Sequence, residues 1–170
     1  MKEHKISETS VRLLQGDITT CDVEAVVNVS GRMLVSSEQA TESEPIDIEA
    51  ELWQGENQDK DVIITPGEGL KADYILNMLS IETSARAGAS KIRKIIRSVL
   101  QEAQIQNLES LAIPAIGTGV GRFSTERCAE ILLEELTKSV SQVENSIHKV
   151  IFVLTNQKSY KIFEQVLDKH

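Results

Sequence analysis

A chain of 170 residues is long enough for one domain with a sizeable core and too short for two ordinary ones, so a single unit over residues 1–170 is expected. Its formal net charge of -8 opposes nucleic acids and anionic membranes at long range, so any anion must be held by a local device rather than a basic surface. Aromatic residues are scarce and aliphatic ones plentiful, which favours a layered α/β core over an aromatic-rich sandwich, and no apolar run has the length of a membrane span.

Val11 to Leu14 and Glu24 to Val29 (EAVVNV) read as short strands separated by the turn-like QGDITTCD. The opening MKEHKISETS lacks the apolar stretch of a signal peptide, and Cys21 and Cys128 stand far apart with no metal or redox spacing; both predict a reducing, intracellular compartment. Between Gly31 and Lys60 the charge is one-sided, with Glu38, Glu42, Glu44, Asp47, Glu49, Glu51, Glu56 and Asp59 against only Arg32 and Lys60. Within it SSEQATESE reads as a loop, and Ile46, Glu49, Ala50, Leu52 and Trp53 as a short helix after Pro45. Asp61 to Thr65 and Asp73 to Leu79 are strands joined by a turn at Pro66, Gly67 and Gly69.

From Ser90, the positions Ile92, Ile95, Ile96, Val99 and Ala103 recur at helical spacing, beside Lys91, Arg93, Lys94 and Arg97, which read as a solvated face. A strand over Leu111 to Ile116, a glycine-rich turn and a helix burying Ala129, Leu132, Leu133, Leu136 and Val140 follow. Lys149 to Leu154 (KVIFVL) is an apolar strand, and Ser159 to Asp168 a closing helix with Ile162, Phe163, Val166 and Leu167 on one side. Strands alternating with helices predict an α/β/α layered sheet.

The glycine-rich turn carries the chemistry. Gly117, Gly119 and Gly121 alternate, which lets successive amides point the same way and form an anion nest. Ser124 or Thr125 can cap the next helix, whose free amides and dipole add positive potential at the same place; a diphosphate fits there without any lysine. The spacing is neither a Walker loop nor a Rossmann fingerprint, and a tight turn with close helix–sheet packing accounts for the glycines equally well. No metal and no cofactor is expected: His4, His148 and His170 are scattered, and no Ser-His-Asp or Cys-His arrangement is visible. Cys128, near a helix N-terminus, reads either as a favoured thiolate or as a small core residue.

Gly16-Asp17-Ile18-Thr19 after the first strand, VEAVVN at 23–28, VIITPGEGLKADYIL at 62–76 and IPAIGTG at 113–119 occur in one order along the chain. With these motifs the chain resembles a macro domain, the module that binds ADP-ribose, over essentially its whole length. It resembles most the macro domains found in tandem in the mono- and poly-ADP-ribosyltransferase family. The resemblance implies a three-layer α/β/α fold with a mixed central sheet and a ligand set of Asp17, Ile18, Ile116, Gly117, Thr118, Gly119, Val120, Gly121, Arg122, Phe123 and Asn156. In that set Asp17 accepts the adenine amino group, as an acceptor-only carboxylate suits, and the backbone of Ile18 meets the adenine ring. Gly117 to Gly121 surround the diphosphate and distal ribose, and Leu154 to Asn156 lie beside the adenine. Two alternatives stand beside these roles: Asp17 as a cap of its own turn through Thr19 or Thr20, and Asn156 as a turn residue.

The chain also departs from the family pattern. Where binding and hydrolytic members read Val-Asn-Ala-Ala-Asn, with the last Asn on the distal ribose, this chain reads Val27-Asn28-Val29-Ser30-Gly31. The family's first glycine-rich loop is replaced by RMLVSSEQATESEP, which makes residues 32–60 divergent, and Asn77 stands where many members carry a histidine. The expectation is a non-catalytic module recognising ADP-ribose or ADP-ribosylated protein. The alternative is a degenerate macro fold serving as a protein-interaction scaffold. Hydrolase activity and RNA binding are not expected, the only basic footprint being Lys91, Arg93, Lys94 and Arg97.

Overall fold

The computed structural model describes residues 2–29, 61–78, 88–116 and 123–170. The acidic segment with its expected loop and short helix, Leu79 at the end of an expected strand, and the glycine-rich stretch from Gly117 to Arg122 lie outside the described residues.

Thr9–Gln15 (β2) alternates buried and half-buried side chains, with Val11 and Leu13 on one face, as a period of two requires. It pairs antiparallel with Glu3–Ile6 (β1) across a tight turn in which Ser7 takes a φ of 53°. β1 was not expected, because EHKI has no apolar alternation of its own; pairing to β2 makes it a strand. Short and charged, it is a suitable edge.

The remaining strands among the described residues are Ala25–Asn28 (β3), Val62–Pro66 (β4), Tyr74–Met78 (β5), Ser110–Pro114 (β6) and Lys149–Leu154 (β7). They form one seven-stranded sheet in the order β1-β2-β7-β6-β3-β5-β4. β2, β7, β6, β3 and β5 run parallel, and β1 and β4 are antiparallel edges, which is the mixed sheet the resemblance implies. β3 and β7 are apolar on both faces, as parallel strands covered on both sides must be.

Three helices occur among the described residues: Gly88–Ile105 (α1), Thr125–Val140 (α2) and Gln157–Lys169 (α3). Their apolar stripes join Val11, Leu13, Val27, Leu76, Ile113 and Phe152 in the larger core, on one face of the sheet. On the other face Val26, Ile75, Ala112, Ile151 and Val153 form a smaller cluster with Cys21, Val23 and Ala72. α1 ends in a left-handed residue, Asn107 (φ 53°), after which the Leu108 amide donates back to Ala103 O at 2.8 Å and closes the helix.

The basic residues of α1 are not all a solvated face. Arg93 Nη1 donates to Glu135 Oε1 at 2.6 Å, Arg97 Nε donates to Glu135 Oε2 at 2.6 Å, and Arg93 Nη2 also reaches Glu134 at 3.0 Å. Glu135 is 3% exposed, so two guanidinium groups of α1 clamp a buried carboxylate of α2. Burial by itself raises the Glu135 carboxyl, but the bonds from Arg97 and Arg93 outweigh it and bring it down to about 2. Sequence patterning misplaced Arg93 and Arg97 because their partner lies some forty positions away, on another helix.

Candidate functional site

Because β2, β7, β6, β3 and β5 are parallel, their carboxyl ends open on one edge of the sheet, where ligands of open α/β sheets bind. Of the expected site residues, Asp17 and Ile18 follow the end of β2, Ile116 that of β6 and Asn156 that of β7. Gly16 N donates to Leu154 O at 3.0 Å, which holds the turn after β2 against the end of β7.

Asp17 is exposed, and its Oδ1 accepts the Thr19 amide at 2.9 Å while its carbonyl accepts the Thr20 hydroxyl at 2.7 Å. The capping role is therefore present, and it starts the 3-10 turn Ile18–Thr20. It does not exhaust the group, because an ionised carboxylate offers about four lone-pair sites and this cap uses one. Ile18 is half-buried and packs against the smaller cluster. Thr19 is 7% exposed, and its hydroxyl has no hydrogen-bond partner among the described residues.

Asn156 is also exposed and acts as a cap: its Oδ1 accepts the Ser159 amide at 2.8 Å and starts α3. The turn-residue reading of this side chain is thus realised. The side chain of Ile116 is wholly buried, so only its backbone is turned to local bonding, and its carbonyl accepts the Cys128 thiol at 3.1 Å. Of the two readings of Cys128, the core residue holds: it is fully buried, and burial pushes its thiol up to about 12. Ser124, the cap of α2, accepts the Arg127 amide at 3.3 Å. Phe123 is half-buried at the edge of the larger core, against Gly88 at the start of α1. Gly117, Thr118, Gly119, Val120, Gly121 and Arg122 lie between Ile116 and Phe123, outside the described residues.

At the ends of β3 and β5 the structure adds a polar set that sequence reading did not assemble. Asn28 Nδ2 donates to Asn77 Oδ1 at 3.1 Å, and Asn77 Nδ2 donates to Thr65 Oγ1 at 2.9 Å and to Ile63 O at 3.1 Å. Both asparagines are buried. Asn77 therefore ties β3, β5 and β4 together at the carboxyl edge, which is what this side chain does at the position noted for histidine. The available signal was two asparagines at the ends of otherwise apolar strands, where burial demands partners.

These features define a mixed α/β module with capped turns at the carboxyl ends of its parallel strands, Asp17 after β2 and Asn156 after β7. The macro domain model matches residues 38–132, more than half of the chain, and the chain belongs to the macro domain family. It is 28% identical over 160 residues to the human protein mono-ADP-ribosyltransferase PARP14, covering 89% of this chain and 8% of that protein. It is 26% identical over 176 residues to the mouse ADP-ribose glycohydrolase MACROD1, covering 98% of this chain and 54% of that one. Its fold matches that of a mutant Oceanobacillus iheyensis macrodomain with ADPR at a TM-score of 0.81 and 21% identity, covering 99% of this chain and 97% of that one. No helix among the described residues is long and apolar enough to cross a membrane.

Proposed function

We propose that this chain is a non-catalytic macro domain that recognises ADP-ribose, free or attached to protein, inside the cell. The observation that carries the reading is Asp17: an exposed carboxylate fixed by one oxygen to Thr19 N, at the end of β2 and beside the end of β7, with its remaining acceptor capacity open to an adenine amino group. The glycine-rich sequence from Gly117 to Gly121 supplies amides for a diphosphate without lysine, which suits an acidic chain. The solved macrodomain with ADPR supports the same ligand class by likeness of fold.

The non-catalytic part rests on sequence departures. Removing ADP-ribose from a side chain needs a tightly oriented distal ribose and a held water, and Gly31 stands where the family's ribose-binding asparagine is expected. The same departures favour the second reading, a macro fold that has lost the ligand and serves protein contact. Charge-assisted hydrogen bonds contribute about 1.5–3 kcal/mol each, so losing two would move a micromolar ligand to about millimolar.

Titration calorimetry with ADP-ribose, with AMP as a second ligand, separates the readings. Saturable micromolar binding is expected. Asp17→Ala removes the turn cap as well as the acceptor, so Asp17→Asn is the sharper probe: its oxygen can still cap Thr19, while its amide nitrogen opposes the adenine amino group. Loss of binding in both variants supports a reader. An absence of heat at millimolar ligand supports the scaffold, and release of ADP-ribose from a modified protein at stoichiometric amounts of the chain would overturn the non-catalytic assignment.

A further inference from the structure

We propose that the groove between the C-terminal turns of α1 and α2 docks a short extended peptide segment of a partner protein, one that carries an acidic side chain beside an apolar one. The groove has a volume of about 840 Å³ and is lined by described residues of these two helices and of the turns that follow them. α1 leads into the start of β6 and α2 into the start of β7, so the groove lies toward the amino ends of the parallel strands, away from Asp17. The inference therefore stands whether or not the chain binds ADP-ribose.

The acidic side chain follows from the cations. Three donors converge on one oxygen, Glu135 Oε1: Arg93 Nη1 at 2.6 Å, Arg97 Nη2 at 3.2 Å and Lys138 Nζ at 3.4 Å. A carboxylate oxygen has two lone pairs, so the longest contact, from Lys138, is weakly held. With Glu134, which pairs with Arg93, the cluster sets two carboxylates against three cations and leaves one positive charge over. Arg97 has five N–H donors and spends two on Glu135, and Lys138 has three and spends one. Both side chains are exposed and line the groove, so an entering carboxylate meets free donors from each. Glu144 lines the same groove with no ion pair among the described residues, and its charge opposes that ligand.

The apolar neighbour follows from exposure. Of the three large apolar side chains exposed among the described residues, Ile105, at 63%, lines this groove, and Val143 stands between two residues that line it, Gln142 and Glu144. The side-chain amides of Gln101 and Gln142 make no hydrogen bond among the described residues. Each offers both a donor and an acceptor, which is what the N–H and C=O groups of an extended backbone need when they leave water.

The test is selection of hexapeptides from an unbiased displayed library on the whole chain, followed by titration of a recovered synthetic peptide into isotope-labelled protein. The recovered sequences are expected to be enriched in Asp or Glu next to an aliphatic or aromatic residue. The peptide should move the amide resonances of Arg97, Ile105, Lys138 and Gln142 and leave that of Asp17 in place. Lys138→Glu is expected to raise its Kd about fivefold or more, and Glu144→Gln, which removes the opposing charge, to lower it about twofold. Selection on Lys138→Glu should lose the acidic preference. Lys138 is exposed, and unfolding midpoints check that the variant folds; should it not, Lys138→Gln carries the same test with an effect of about twofold. No enrichment over background, basic or wholly apolar sequences, shifts centred on Asp17, or a Kd indifferent to both substitutions each overturns the proposal. The same resonances moving on dilution of the free chain would assign the face to a second copy and overturn it as well.

Discussion

Glu135 offers a sharp quantitative test of the packing argument. Its carboxylate is 3% exposed and receives Arg93 at 2.6 Å and Arg97 at 2.6 and 3.2 Å, with Lys138 at 3.4 Å. The folded carboxyl titrates at about 2 against 4.5 for an unperturbed one. The folded value is the lower, so the unfolded chain binds the proton more readily, and the stabilisation is present above the unfolded value and lost as pH falls toward the folded one. At about 1.36 kcal/mol per unit, the ionised carboxylate contributes roughly 3 kcal/mol near neutrality, falling to less than half of that by about pH 3. Removing the charge while both arginines stay in place is therefore expected to cost about 3 kcal/mol or more, as for other broken buried pairs. The perturbation is Glu135→Gln, nearly isosteric, and the assay is urea unfolding of both proteins at a series of pH values from about 7 to about 3. Near neutrality the variant should be less stable by that amount, and the gap should narrow by more than half across the series. A loss under about 1 kcal/mol, or a gap that stays constant with pH, would show that the clamp is a surface ion pair of the ordinary weak kind.

Asn77→Leu should destabilise the fold by about 2 kcal/mol or more, because it takes away the acceptor of Asn28 Nδ2 and the donor to Thr65 and Ile63 in a buried setting; urea midpoints check this, and a change within about 0.5 kcal/mol would contradict it. Cys128 is expected to resist iodoacetamide at about pH 8 in the native protein and to react once unfolded, since its thiol is fully buried, raised to about 12 and bonded to Ile116 O; rapid native labelling in a peptide map would refute the assignment.

Most of the architecture is written locally in the chain. The 3.6-residue recurrence of Ile92, Ile96, Val99 and Ala103 marks α1, and the unbroken KVIFVL marks β7, because each pattern records which side of one element meets the core. The turn motif at Gly16 to Thr19 was legible for a similar reason, since a short polar side chain and its own backbone amide two residues on make a local bond. β1 was not legible, because EHKI becomes a strand only through β2.

By itself, then, the sequence determined the α/β class, the order of its principal elements and the family whose motifs they carry, and it left the caps at Asp17 and Asn156 as alternatives that the structure resolved. The tertiary structure decided which side chains meet across distance. Arg93 and Arg97 are solvated in any helical-wheel view and become a clamp only when α2 brings Glu135 to them. Asn28 and Asn77 pair only because β3 and β5 align in register. Gly88 is an ordinary helix residue until the Phe123 ring is laid on it. Local patterns report burial and backbone preference, whereas partners are set by the packing of elements far apart in the chain, and no short window of sequence contains both sides of such a contact.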